Sequence, residues 1–170
     1  ESYGYLKGTY ARDKDAVVAS LLITEMAAFY KSKNMTLCDA LDSVFERYGY
    51  YRENVFSITM SGLDGKERMA KTMESLRQSP PDGIAGRRIV EFRDYENEYI
   101  FDLKTGAKSP TGLPKSDVLY YVTDRHDVIV VRPSGTEPKI KVYVLTSGES
   151  SDTAARSASE CAEAMKELLG

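Results

Sequence analysis

From residue 53 onward, apolar and polar positions alternate in short runs that are separated by two segments of helical period. Phe56, Ile58 and Met60 alternate with polar residues, as in a strand with one buried face. Four further strand candidates lie at 88–92, 118–123, 128–132 and 140–146, and an apolar run covers 99–103. Residues 109–116 (SPTGLPKS) contain two prolines and a glycine, which predicts an irregular loop.

Two helices are predicted among these strands. The first covers 64–78 and is stopped by Pro80 and Pro81, and the second covers 152–169. The apolar stripe of the second helix consists of Ala158, Cys161, Ala162, Met165, Leu168 and Leu169. Strands joined by hairpins, with two helices to cover one face, predict an α+β fold with an antiparallel sheet and its helices on one face.

The first part of the chain is predicted to be helical. Apolar residues recur at helical spacing over 18–29, and Asp13 and Asp15 can cap and charge the start of that helix. A second helix is predicted over 36–48, where Thr36 and Asp39 have the spacing of a capping box. The glycine and three tyrosines at 48–51 indicate a boundary, so we expect domains at 1–50 and 51–170.

The most informative polar stretch is the loop at 132–139, which lies between two strand candidates and is therefore displayed at a hairpin end. Arg132 offers a planar fork of donors that suits a phosphate or carboxylate, and Ser134 and Thr136 add hydroxyl groups. Gly135 lets backbone N–H groups approach an anion closely. These residues have the chemistry of a phosphate site, although two prolines and ordinary turn residues would also suit a stiff hairpin loop.

Composition excludes several classes of function. The chain has 170 residues and a formal net charge of -3 with scattered basic residues, which argues against a nucleic-acid partner. No apolar run has the length of a membrane span, so we expect no membrane partner and a soluble protein. Cys38 and Cys161 are expected to be buried thiols in a reducing compartment, and a single disulfide between them is the alternative. His126, the single histidine, is expected in a solvated turn, and no metal site is predicted.

The string RPSGTEPKIKVYV, from Arg132 onward, resembles the C-terminal phosphate-binding loop of the phosphohexomutases, the phosphoglucomutase and phosphomannomutase superfamily. The resemblance implies that Arg132, Ser134, Gly135 and Thr136 bind the phosphate that is not reacting. It leaves open whether Lys141 takes part or is a solvent-facing cation. It also implies that 51–170 is the C-terminal phosphate-binding domain, and that the helical residues before it are a remnant of the neighbouring sugar-binding α/β domain.

Two shorter matches to the same family lie near the start of the chain. Glu1 and Ser2 resemble the Glu-Ser pair that binds hydroxyl groups of the hexose. Arg12 and Lys14 resemble an Arg-acid-Lys-Asp segment that brings a lysine toward the transferred phosphoryl group, which implies a catalytic role for both. Because Glu1 is preceded by no methionine, we expect the chain to be part of a longer protein. The expected partners are then a phosphosugar and the missing N-terminal domains.

The family moves a phosphoryl group between C1 and C6 of a hexose. A phosphoserine, a hexose 1,6-bisphosphate intermediate and a Mg2+ ion held by clustered aspartates carry that reaction. We find neither the nucleophile loop nor the metal loop in this sequence, so the chain alone is expected to be inactive, as the C-terminal part of a cytoplasmic mutase. Glucose, mannose, pentose and aminosugar substrates are not distinguished. A stand-alone phosphate-binding or interaction module is the alternative.

The family resemblance also implies movement. Closure of the last domain over the substrate is expected in the phosphohexomutases, which makes residues 48–51 a hinge candidate. Separation from the neighbouring domain would also leave the apolar stripe of the 18–29 helix exposed, and an exposed stripe of this kind promotes self-association.

Overall fold

A computed structural model describes residues 5–10 and 12–170. The contacts between these residues define two compact units, and the boundary lies between Tyr48 and Gly49. Glu1 and Ser2, the predicted sugar-binding pair, lie outside the described residues. No described helix is both long enough and apolar enough to cross a membrane.

The first unit contains α1 (Ala16–Lys31) and α2 (Leu37–Tyr48). Asp15 caps α1, because one carboxylate oxygen accepts the backbone N–H groups of Val17 (2.8 Å) and Val18 (3.2 Å). Capping by Asp13 was wrong, since its carboxylate pairs instead with the Nζ of Lys14 at 2.7 Å.

The predicted capping box of α2 is confirmed. The backbone N–H of Asp39 donates to Oγ1 of Thr36 (3.1 Å), and the backbone N–H of Thr36 donates to the Asp39 carboxylate (2.7 Å). On α1, most of the apolar stripe is open to solvent: Leu21 is 66% exposed and Phe29 is 52% exposed. Ala19 is the buried residue of this helix.

The second unit is an α+β fold. Its elements in chain order are β1 (Tyr50–Thr59), α3 (Gly65–Gln78), β2 (Gly83–Ile84), β3 (Arg87–Asp94), β4 (Tyr99–Asp102), β5 (Lys108–Pro110), β6 (Leu119–Thr123), β7 (Val128–Pro133), β8 (Lys139–Gly148) and α4 (Ser151–Leu169). The strands form one antiparallel sheet in the order β1-β8-β7-β6-β3-β4-β5, and β2 pairs with β3. The predicted antiparallel fold is confirmed.

One face of the sheet carries the hydrophobic core. Alternate residues of β7 and β8 are fully buried; α3 packs on these two strands, and α4 packs on β1 and β8. The core includes Ile129, Val131, Ile140, Val142, Val144, Met73, Cys161 and Met165. Burial of each large aliphatic side chain contributes about 1.5–3 kcal/mol. Leu168 was wrongly placed on the buried stripe of α4, since it is 47% exposed.

Two short strands and one burial state differ from the sequence predictions. β5 occupies the start of the predicted irregular loop, and β2 was not predicted. Both strands contain too few apolar residues to show a period, and a proline is tolerated in an edge strand such as β5.

Both cysteine thiols are free, but Cys38 is exposed, so only the predicted burial of Cys161 is confirmed. Burial raises the pKa of the Cys161 thiol.

Candidate functional site

The 132–139 loop closes the hairpin between β7 and β8. Arg132 lies opposite Lys141 and Pro133 lies opposite Ile140 in the ladder. The backbone N–H of Ser134 then donates to the carbonyl of Lys139 (2.9 Å), which closes the base of the loop. The alternating apolar residues of both strands face the core. The polar loop that joins the two strands therefore lies at the end of the sheet.

The four residues predicted to bind phosphate are accessible to different extents. Arg132, Gly135 and Thr136 are exposed, and Ser134 is half-buried. The Oγ of Ser134 accepts the backbone N–H of Glu137 at 3.4 Å, so it remains able to donate its own hydrogen. Beyond its two chain neighbours, a Cβ placed on Gly135 would have no heavy atom of the described residues within 4 Å. The space above Gly135 is therefore open to a ligand.

A depression of about 490 Å³ lies beside this loop. The structure brings Arg132, Ser134 and Gly135 together in its wall, whereas Thr136 lies outside the lining. The other lining residues are Pro133 and three residues that precede β6, namely Ser116, Asp117 and Val118. Three of the four predicted residues thus share one concave surface.

The far end of the loop is attached to the junction between β1 and α3. The backbone N–H of Met60 donates to the carbonyl of Pro138 (2.8 Å). Gly65, the first residue of α3, lies against the same segment, since a Cβ built there would be 3.2 Å from Cβ of Pro138. These contacts hold one end of the loop against a second element.

The lysines near the loop are engaged by Glu137. The Nζ of Lys139 pairs with the Glu137 carboxylate at 2.5 Å. This hydrogen bond lowers the pKa of Glu137, and the charge of Lys141 lowers it further. Lys141 is half-buried, and whether it takes part in binding or is a solvent-facing cation stays open. By contrast, no residue in the described ranges forms an ion pair with Arg132.

Sequence reasoning missed Asp117 and the arginine that holds it. An NH2 group of Arg77 donates to Oδ1 of Asp117 at 2.6 Å, and Nε of the same arginine donates to Oδ1 of the buried Asp94 at 3.3 Å. Burial opposes the charge of Arg77, but the bond to Asp117 and both carboxylate charges raise its pKa overall. Arg77 and Asp117 lie forty residues apart in the chain, and no local pattern indicates such a pair.

Arg12 and Lys14 lie in the first unit, and both are exposed. The ion pair with Asp13 raises the pKa of Lys14, which favours its charged form. A cation in this state suits a phosphoryl group, but a catalytic role for the two residues stays a prediction. His126 is exposed in the turn between β6 and β7, as predicted.

Within 5–10 and 12–170, no three His, Cys, Asp or Glu side chains are grouped so that they could hold a metal ion. The described residues therefore offer no cluster of three such ligands to a Mg2+ ion.

The matching family model is the phosphoglucomutase/phosphomannomutase C-terminal domain, which covers residues 82–164. This range contains the 132–139 loop and the three residues that precede β6. Two similar curated relatives are phosphoglucomutases of Staphylococcus aureus. The strain RF122 / ET3-1 protein is 39% identical over 144 residues, and the strain MSSA476 protein is 38% identical over 144 residues. Each match covers 85% of this chain and 26% of the relative.

A solved structure has the same fold. It is the open form of the exocytosis-sensitive phosphoprotein pp63/parafusin, a phosphoglucomutase from Paramecium, with a TM-score of 0.58 and 19% sequence identity. The match covers 94% of this chain and 28% of that protein. The chain thus spans about a quarter of the length of the relatives that it matches.

Proposed function

Because this chain belongs to the phosphoglucomutase/phosphomannomutase family, whose C-terminal domain it carries over residues 82–164, we propose that its 132–139 loop binds the phosphate of a phosphosugar. Arg132 is the main anion-binding group in this proposal, with Ser134, Gly135 and Thr136 as its companions. The longer protein would interconvert hexose 1-phosphate and hexose 6-phosphate.

One observation carries the proposal: an exposed arginine without an ion-pair partner among the described residues shares a depression with Ser134 and Gly135. A guanidinium group presents two parallel N–H donors, which match two oxygens of a phosphate. The hydroxyl of Ser134 adds a third donor, and the open space above Gly135 lets the phosphate approach the backbone.

The bound phosphate would be the one that is not transferred. Ser134 has no histidine or other base among its hydrogen-bond partners in the described residues, and a serine without a base is a poor nucleophile. The loop would instead hold the distal end of the substrate and so orient the reacting hydroxyl toward a group supplied elsewhere in the longer protein. Its contribution to catalysis is positioning.

Residues outside this loop would bind the sugar and act near the transferred phosphoryl group. Glu1 and Ser2 would bind the sugar hydroxyls, and Arg12 and Lys14 would act near the transferred phosphoryl group. The phosphoserine, the Mg2+ ligands and the site of the hexose 1,6-bisphosphate intermediate would come from the rest of the protein. The chain by itself would then bind phosphosugars without converting them.

Binding by this chain alone should be weak. Hydrogen bonds to a charged group contribute roughly 1.5–3 kcal/mol each. The loss of translational and rotational freedom opposes association by about 4–15 kcal/mol. Three or four such bonds therefore leave little net affinity, and we expect dissociation constants in the millimolar range.

The experiment is an NMR titration of the 170-residue chain with inorganic phosphate, glucose 1-phosphate and mannose 1-phosphate. We expect amide shifts concentrated at 132–136, and their loss in Arg132→Ala. Arg125→Ala is the matched control, because Arg125 is also exposed and lies in the turn at the opposite end of β7. Equal weakening by both substitutions, or shifts spread over the surface, would contradict a phosphate site at this loop.

A further inference from the structure

Asp117 is an unexpected member of the depression that contains the proposed phosphate site. Asp117 lines the same depression as Arg132, Ser134 and Gly135, and its side chain is 44% exposed. A carboxylate beside a bound phosphate repels it, and this repulsion weakens anion binding unless the carboxylate has another use.

Asp117 is held in place by three contacts. Its Oδ1 accepts a hydrogen bond from Arg77 at 2.6 Å. On one side of it, the backbone N–H of Ser116 donates to the carbonyl of Tyr95 (3.2 Å), and on the other side the carbonyl of Val118 accepts the backbone N–H of Tyr95 (3.1 Å). The side chain of Asp117 and the backbone on both sides of it therefore have fixed positions beside the depression.

Arg77 is itself fixed before any ligand arrives. Its side chain is only 11% exposed, and its Nε pairs with the fully buried carboxylate of Asp94 at 3.3 Å. A charge held in this way partly offsets the negative charge of Asp117 and fixes the direction of its carboxylate plane. Arg77 is thus a positioning residue that acts through Asp117.

The second oxygen of Asp117 is available to a ligand. Among residues 5–10 and 12–170, no group donates a hydrogen bond to Oδ2 of this carboxylate, and its contact with Arg77 is made through Oδ1. An ionised carboxylate only accepts hydrogen bonds, so its complement in a ligand is a hydroxyl donor close to the phosphate. A sugar phosphate carries such hydroxyls, whereas inorganic phosphate does not provide one beside the phosphate.

We infer that Asp117 accepts a hydrogen bond from a sugar hydroxyl while Arg132 holds the phosphate of the same molecule. This inference rests on the proposed function and deepens it, because it makes the depression selective for phosphate esters of polyhydroxyl compounds. The unfavourable charge of Asp117 lowers the affinity for simple phosphates, and the bond to the hydroxyl restores affinity only for a sugar phosphate.

The test compares glucose 1-phosphate with methyl phosphate, a phosphate ester of the same charge that lacks hydroxyl groups. Dissociation constants are measured from the amide shifts of 132–136 in the unaltered 170-residue chain, in Asp117→Asn and in Asp124→Asn. Asp124 is a matched control, because it is exposed and follows β6 whereas Asp117 precedes it. The seven intervening steps correspond to roughly 20 Å along a strand, beyond the screening length of about 8–10 Å at ordinary salt.

In Asp117→Asn, we expect tighter binding of methyl phosphate and no such gain for glucose 1-phosphate. The preference for glucose 1-phosphate over methyl phosphate should fall at least threefold. Asp124→Asn should leave both constants unchanged. Arg77→Lys, which keeps the charge but loses the planar fork, should lower the same preference, and its combination with Asp117→Asn should lower it no further.

The outcomes separate the two proposals. An equal change for both ligands in Asp117→Asn would overturn the hydroxyl contact while leaving the phosphate site intact. An absence of shifts at 132–136 with every phosphate in the unaltered chain would overturn the phosphate site, and the role of Asp117 with it.

Discussion

The backbone N–H of Met60 donates to the carbonyl of Pro138 over 2.8 Å, which ties the end of the 132–139 loop to the residue that follows β1. The chain then turns and enters α3 at Gly65, which is buried against this same segment. The loop is thus supported by its own hairpin at the base and by a different element at its far end. Substitutions at these contacts should separate support of the loop from binding by the loop.

Gly65→Ala should destabilise the second unit strongly. A Cβ at this position would lie 1.9 Å from the carbonyl oxygen of Met60, so the backbone would have to move. Overpacking of this kind costs about 3 kcal/mol, to be measured as the free energy of unfolding in urea. Lys66→Ala, at the next and exposed position, is the control and should change stability by less than about 0.5 kcal/mol. A similar small change for Gly65→Ala would show that the junction relaxes easily.

Gly135→Ala should leave the stability of the second unit nearly unchanged but weaken phosphate binding. Its Cβ would meet no heavy atom of the described residues within 4 Å beyond its two chain neighbours, so we expect an unfolding free energy within about 0.5 kcal/mol of the unaltered chain. The methyl group would instead occupy the space above the loop and weaken phosphate binding severalfold in the NMR titration. Unchanged affinity with an unchanged fold would remove Gly135 from the site.

The buried pair of Arg87 and Asp127 should dominate the polar contribution to stability. Nε of Arg87 lies 2.9 Å from Oδ2 of Asp127, and both side chains are 2% exposed. Arg87→Met would leave the carboxylate buried without its partner, at a cost of about 3–5 kcal/mol. Adding Asp127→Asn to Arg87→Met should recover part of this loss of stability, because the buried and unpaired carboxylate charge is then removed.

An exposed pair provides the comparison for this prediction. Lys71 and Glu67 are 2.7 Å apart on the surface of α3, where pairs contribute about 0–1 kcal/mol. Lys71→Met should therefore have little effect in the same urea measurement. If Arg87→Met costs no more than Lys71→Met, the buried pair is dispensable for folding.

Asp102 should contribute to the pH dependence of stability. Its carboxylate accepts the backbone N–H groups of Thr105 (3.0 Å) and Lys104 (2.8 Å), which lowers its pKa below the ordinary value of 3.8. A lowered pKa in the folded state stabilises the protein above pH 3.8, and this contribution is lost as the pH falls through the folded-state pKa. Asp102→Asn should therefore differ from the unaltered chain in urea at pH 6 but much less at pH 2.5. A difference that is constant with pH would contradict this account.

The 170-residue chain should not convert glucose 1-phosphate to glucose 6-phosphate. The chain would provide an anchor for the phosphate but no group that transfers a phosphoryl group. A coupled assay for glucose 6-phosphate, with a full-length phosphoglucomutase as the positive control, measures this directly. Sustained turnover that follows the purified chain would contradict the assigned roles.

Local patterns predicted the parts of the fold that bury alternate or helically spaced residues. β6, β7 and β8 bury alternate residues, and α3 and α4 each bury one apolar face, so their positions could be predicted from the sequence. β5 could not, because Lys108, Ser109 and Pro110 are exposed and obtain their strand conformation from pairing with β4.

The candidate site, like the fold, could be predicted only in part from the sequence. The 132–139 loop is continuous in the chain, so its donors could be identified together. Asp117 joins them only because β6 lies beside β7 in the sheet, and Arg77 reaches Asp117 from α3. The hinge proposed at 48–51 stays a prediction, although β1 already begins at Tyr50.

The place of β1 in the sheet has a consequence for synthesis. Its neighbour is β8, and Arg52 and Thr146, which are paired across these strands, are 94 residues apart in the chain. At translation rates of about 5–20 residues per second, β1 waits roughly 5–20 s for its partner. During that time its edge is open to other nascent chains. The bond from Met60 to the loop likewise forms only after Pro138 has been synthesised.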